Sequence, residues 1–170
     1  MILINDTNIW IDLKVTNLIK EVFKLPYEIG VPNILFHDEL EELDGDLLLQ
    51  SGIKILEMTE SEVLETANRS NNTNKVSFND LTTLVVAKNR NAVLVTGDGN
   101  LRKIAKEEKV QLKGTIWLID SMVSTRIISY NHGVEVCKVL LQNGRRLPKD
   151  ELQKRINAWS NLSDSEVATD

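Results

Sequence analysis

Two aspartates stand just beyond short apolar runs. Ile2-Leu3-Ile4 leads into Asp6-Thr7-Asn8, and Val93-Leu94-Val95-Thr96 leads into Gly97-Asp98-Gly99. A continuous apolar run of this length reads as a strand buried on both faces of a parallel sheet. Open α/β sheets bind ligands beyond the carboxyl ends of their strands, so Asp6 and Asp98 belong at one rim. Two further acids join them: Asp80, in Ser77-Phe78-Asn79-Asp80, and an acid on a helical pattern over 32–44, where Glu39 and Glu42 share one ridge at the edge of the apolar stripe. Clustered carboxylates repel, and one of them takes a proton unless a cation neutralises the group. Carboxylate oxygens suit Mg²⁺ or Mn²⁺, hard ions that keep waters and bind substrate phosphates. The chemistry this allows is metal-assisted hydrolysis of a phosphate ester. No Ser/His or Cys/His constellation offers a side-chain nucleophile. His37 and His132 are isolated, without the spacing of zinc ligands.

Each acid also has a local explanation. Asp6 and Asp98 suit helix N-caps or tight turns. Ser77 and Asp80 have the spacing of a capping box. Glu39 shares its helix with Asp38, Glu41, Glu42 and Asp44, which together make a solvated acidic face. Gly97-Asp98-Gly99-Asn100-Leu101-Arg102 resembles a dinucleotide fingerprint, but Arg102 replaces the third glycine and the motif falls late in the chain. Taken singly, each acid yields to its local role; the convergence of four at one sheet rim does not.

The elements that must position them follow from hydrophobic period. Strands are predicted at 2–5, 28–31, 53–56, 93–96 and 115–119, with helical patterns between them. Such alternation places helices on both faces of a mainly parallel sheet. Residues 120–128 and 133–142 read as helices, and Gly144-Arg145-Arg146-Leu147-Pro148 as a stop, a turn and a fresh start. Leu152, Ile156 and Trp159 then form one apolar stripe, read as packing on the parent domain rather than on a partner. The asparagine-rich stretch 68–74 reads as a mobile surface loop. The division is a catalytic domain at 1–125, a helical extension at 126–160 and a frayed tail at 161–170.

The chain has 170 residues, a formal net charge of −5 and one cysteine. That charge argues against broad affinity for nucleic acid and leaves any grip to local basic patches. Cys137, among apolar neighbours, reads as a buried thiol, not a nucleophile. Neither a signal peptide nor a membrane span is evident, so a cytoplasmic location is expected.

The acidic motifs, in this order, resemble those of the PIN-domain ribonucleases. The matching pieces are Ile4-Asn5-Asp6-Thr7-Asn8, Val31-Pro32 with Asp38-Glu39-Leu40, Phe78-Asn79-Asp80, and Val95-Thr96-Gly97-Asp98. The stretch from Lys113 to Pro148 is similar to a prokaryotic, VapC-like subgroup with extra C-terminal helices. The resemblance implies a three-layer α/β/α sandwich and a Mg²⁺- or Mn²⁺-dependent endoribonuclease. It implies Asp6, Glu39, Asp80 and Asp98 as the catalytic and metal-holding acids, with Asp38 or Glu42 as substitutes for Glu39. Asn8 and Thr96 would be auxiliary. Arg102 and Lys103 rank first for RNA binding, ahead of Lys88, Arg90, Lys106, Arg145 and Arg146. Single-stranded RNA is the expected substrate because its bases are accessible. An antitoxin protein is the expected partner and a homodimer is possible on the same grounds. The competing readings are a metal-dependent phosphatase and a catalytically degenerate scaffold with the same fold.

Overall fold

The computed structural model describes residues 1–167, and their side chains through residue 162. Five strands form the sheet: β1 (Ile2–Asn5), β2 (Glu28–Pro32), β3 (Lys54–Leu56), β4 (Val93–Val95) and β5 (Leu112–Lys113). Their order is β3-β2-β1-β4-β5, and every pairing is parallel. The chain leaves β1 toward one edge and returns to its other side at β4. That reversal makes the β1/β4 boundary the switch point at which α/β sheets open a crevice. The register pairs Asn5 with Val95, and the Asp6 amide donates to the Val95 carbonyl at 3.1 Å. Asp6 and Thr96 are thereby the first residues past two neighbouring strand ends.

Alternation along the strands feeds two cores. Leu3, Ile29, Val31, Val93 and Val95 enter the larger one, whereas Ile4 and Leu94 enter the smaller. Helices α6 (Phe78–Asn89) and α7 (Gly99–Glu107) cover the smaller core, and α5 (Glu60–Asn71) packs against α6. The larger core is built by α1 (Thr7–Val15), α2 (Ile19–Val22), α3 (Asn33–Leu35), a π-helical turn at Phe36–Leu40 and α4 (Glu41–Ser51). It continues into α8 (Thr115–Ser124), α9 (Tyr130–Gln142) and α10 (Lys149–Val167). The arrangement is the expected three-layer α/β/α sandwich. Leu152 and Trp159 are buried in the same core as the sheet, so the apolar stripe of the last helix packs inward. Cys137 is buried, and burial pushes its thiol up to about 11.

Three expectations need correction. Residues 115–119 are the start of α8, not a strand, and the fifth strand is the two-residue segment Leu112–Lys113. A short apolar run surrounded by core has no period to separate strand from helix. Gly114 ends the extended segment, and Leu118, Ile119, Met122 and Val123 bury the helix. The asparagine-rich stretch is helical through Asn71, because a Thr59/Glu62 capping box starts α5 well upstream. Helix α10 runs through Val167, so most of the predicted tail is helical; 168–170 lie outside the described residues.

Candidate active site

Local capping and site building turn out to be the same event. Asp6 caps α1 by accepting from the Ile9 amide at 3.0 Å, and its other oxygen accepts from the Thr96 hydroxyl. Asp98 caps α7, accepting from the Leu101 amide at 2.7 Å. Ser77 caps α6 and donates its hydroxyl to Asp80 at 2.8 Å. Asp80 is too short to reach the cap's own backbone N–H, as glutamate does in a full capping box, and meets the hydroxyl instead. A cap spends one oxygen of a carboxylate and pins its rotamer. The second oxygens of Asp80 and Asp98 accept no hydrogen bond among the described residues. Three helix N-termini meet at this rim, each carrying the partial positive charge that favours an anion.

Glu39 reaches the site from the π-helical turn. Its two oxygens accept from Asn79 Nδ2 at 2.8 Å and from the Thr7 hydroxyl, tying it to the first turns of α6 and α1. Asp38 and Glu42 are exposed and make neither contact, so Glu39 is the helix acid that faces the cluster. The wider π turn shifts the register of the face that a regular helix would present, a device common at functional sites. Thr96, fully buried, donates to Asp6 and accepts from the Asp98 amide at 3.0 Å, coupling the two strand-end acids. Thr7 and Asn79 have no catalytic signal of their own in the sequence; they stand beside Asp6 and Asp80 and act through Glu39.

The cluster carries the electrostatics of crowded acids. Burial pushes the Asp6 carboxyl up to about 7, aided by the charges of Asp80 and Asp12 and opposed by the bonds from Thr96 and Ile9. Asp80 is also raised, first by burial and then by Glu39 and Asp98. Among the described residues no lysine, arginine or histidine forms an ion pair with any of the four.

A family model described as DUF3368: PIN domain matches residues 2–161. The chain belongs to the PIN-domain family. Among solved structures, its fold is similar to a PilT N-terminus domain protein, SSO1118, from the hyperthermophilic archaeon Sulfolobus solfataricus P2. That match has a TM-score of 0.52 at 15% identity and covers 72% of this chain and 94% of the other. No curated protein matches the chain.

PIN domains are typically nucleases and generally use divalent metal ions. The donors in this PIN domain fit that chemistry: four carboxylates, two with an oxygen unengaged, and no cation paired with any of them among the described residues. Among the described residues no three acidic, histidine or cysteine side chains close into a ready cage.

The basic candidates separate by what already occupies them. Arg102 donates Nη1 to the carbonyls of Thr96 and Lys113 at 2.7 and 2.9 Å, bracing the ends of β4 and β5. Lys103 is exposed on α7. Lys88 pairs with Glu108 at 2.7 Å and Arg90 with Glu62 at 3.0 Å. Arg145 is turned inward to Asp12, its Nε donating at 2.5 Å, and Asp12 also accepts from the Thr115 hydroxyl at 2.6 Å. Asn8 is exposed, and its carbonyl accepts from Arg145 Nη2 at 3.4 Å. A cleft of about 390 Å³ opens here, lined by Asn8, Asp12, Asp98, Arg145, Arg146 and Leu147 among others. Asp12 is the residue the sequence reading passed over; its burial inside a helix with no local partner is visible only in three dimensions.

Proposed function

We propose that this PIN domain is a metal-dependent endoribonuclease that hydrolyses phosphodiester bonds in single-stranded RNA. The observation that carries the reading is the set of four acids, drawn from four separate parts of the chain and gathered with no basic partner. Crowding of this kind opposes folding unless a positive ligand relieves it. Asp6, Asp80 and Asp98, with Glu39 directly or through water, would hold Mg²⁺ or Mn²⁺. Such an ion supplies an activated water and stabilises charge on the phosphoryl group and the leaving oxygen.

The protein's own share is orientation. Thr96 holds Asp6, Ser77 holds Asp80, and Thr7 with Asn79 holds Glu39, so every acid meets the substrate in a set rotamer. The N-termini of α1, α6 and α7 favour an anion at the rim where the phosphate must lie. The cleft beside Asn8 is open to solvent, as a polymeric substrate requires.

The test is cleavage of a labelled single-stranded RNA with Mn²⁺, Mg²⁺ or EDTA, beside Asp98→Asn prepared identically. Metal-dependent cleavage that drops by at least about 100-fold in the variant supports the reading. A variant as active as the wild type overturns it. Hydrolysis of small phosphate esters with RNA left intact would instead identify a phosphatase. An inert wild type that binds no metal would identify a scaffold. The narrower reading, a toxin checked by an antitoxin, draws on the family resemblance. It predicts growth arrest on induction, lost in Asp98→Asn and relieved by a partner encoded beside it.

A further inference from the structure

A second cleft lies on the far side of the Gly97 turn from the acids. It has a volume of about 590 Å³ and shares Gly97, Arg146 and Leu147 with the first, so the two adjoin. That size falls in the range of roughly 300–1,000 Å³ seen for pockets that enclose small organic ligands. Its chemistry differs from that of the acid cluster. Ile116, Trp117, Leu147 and Pro148 give it an apolar lining. Its acids, Asp120 and Glu151, are both spent on Arg155, at 2.7 Å each. Two further guanidiniums border it without a carboxylate partner among the described residues. Arg102 gives its hydrogen bonds to carbonyls, which leave its charge uncompensated, and Arg146 is exposed and unpaired.

Arg146 is also held in place. Gly144 turns the chain at φ +62°, Arg145 plunges to the buried Asp12, and the Leu147 amide closes on the Arg145 carbonyl at 2.8 Å. With Arg145 anchored inward, its neighbour is left on the wall common to both clefts. The result is a cationic, part-apolar recess adjoining the cleft into which Asp98 of the acid cluster opens. A nucleic acid strand has that alternation: one phosphate at the reacting centre, then a base and the next phosphate.

We propose that the second cleft takes the nucleotide adjoining the cleaved bond, with Arg146 holding its phosphate and the Arg145–Asp12 pair positioning Arg146. This rests on the ribonuclease reading above. It names where the strand runs and which cation grips it.

The experiment measures binding and cleavage separately. A fluorescein-labelled single-stranded RNA of about ten nucleotides is titrated in EDTA with wild type, Arg146→Ala and Arg146→Lys across a range of salt. Arg146→Ala is expected to weaken binding about tenfold, as loss of a charged hydrogen bond does. It should also reduce the slope of log K against log salt by about 0.7, one phosphate's worth on a single strand. Arg146→Lys should keep the slope and recover part of the affinity, because the charge remains while the fork is lost. With metal added, Arg146→Ala should raise KM and leave kcat near the wild-type value. Unchanged affinity and slope in Arg146→Ala, with wild type cleaving normally, would overturn the assignment of the cleft and leave the nuclease intact. Arg146-dependent binding by a wild type that cleaves nothing with any metal would overturn the nuclease and support the cleft as an RNA site.

Discussion

Asp6 concentrates the conflict between folding and function. Its carboxyl is fully buried, and burial pushes its pKa from 3.8 to about 7. The unfolded chain ionises this group near 3.8, so folding stability from it is complete below that pH. That stability is lost as pH rises toward 7, where the folded protein must also carry the buried charge. Metal-free protein is therefore expected to be less stable at pH about 8 than at pH about 5 on this group's account. Asp6→Asn should flatten that dependence by up to about 3 kcal/mol, read by urea denaturation at both pH values, while abolishing RNA cleavage. Added Mn²⁺ should raise the wild-type melting temperature and leave Asp6→Asn unmoved. An Asp6→Asn protein with the wild-type pH profile would show that the buried carboxylate is already neutralised within the chain.

Helix starts do two jobs in this fold, and they can be separated. Ser77 opens α6 at the site and Thr59 opens α5 away from it, each with a side-chain cap. Removing either cap as alanine should cost about 1 kcal/mol of stability. Only Ser77→Ala should also lower cleavage, by about tenfold, because Asp80 loses the hydroxyl that orients it. Equal activity in the two variants, normalised for folded protein, would mean that Asp80 needs no such support. The π-helical turn belongs to the same logic: it is the element that presents Glu39, and not Asp38 or Glu42, to the N-terminal turns of α1 and α6.

The C-terminal helices reach the site through packing and through the Arg145–Asp12 pair. Trp159 seats against Gly133, where an added Cβ would stand 2.9 Å from the indole ring and from Val123 Cγ2. Gly133→Ala should therefore destabilise the protein by about 1–3 kcal/mol through overpacking. It should also weaken RNA binding, because the α9–α10 hairpin carries the Gly144–Pro148 turn that walls both clefts. Loss of stability without loss of RNA affinity would show that the turn is held by the Arg145–Asp12 pair and not by the hairpin. Among the described residues no helix is long and apolar enough to cross a membrane.

Most of the scaffold was legible because local chemistry decided it. Four strands announced themselves as apolar runs, and Asp6, Ser77 and Asp98 stand where caps must stand. Since those caps are also what aims the acids, their convergence at the sheet rim could be read with the fold. The fifth strand could not, because Thr115–Ile119 is apolar on every side and burial, not period, made it a helix. Nor could the choice among Asp38, Glu39 and Glu42, which turns on a π register set by packing beneath Phe36 and Leu40. Arg145 and Arg146 are adjacent and chemically identical in sequence. One is half-buried and paired with the buried Asp12, 133 positions away, and the other faces the cleft. Contacts across such separations leave no local trace; only the folded chain brings the two ends together and assigns each arginine its task.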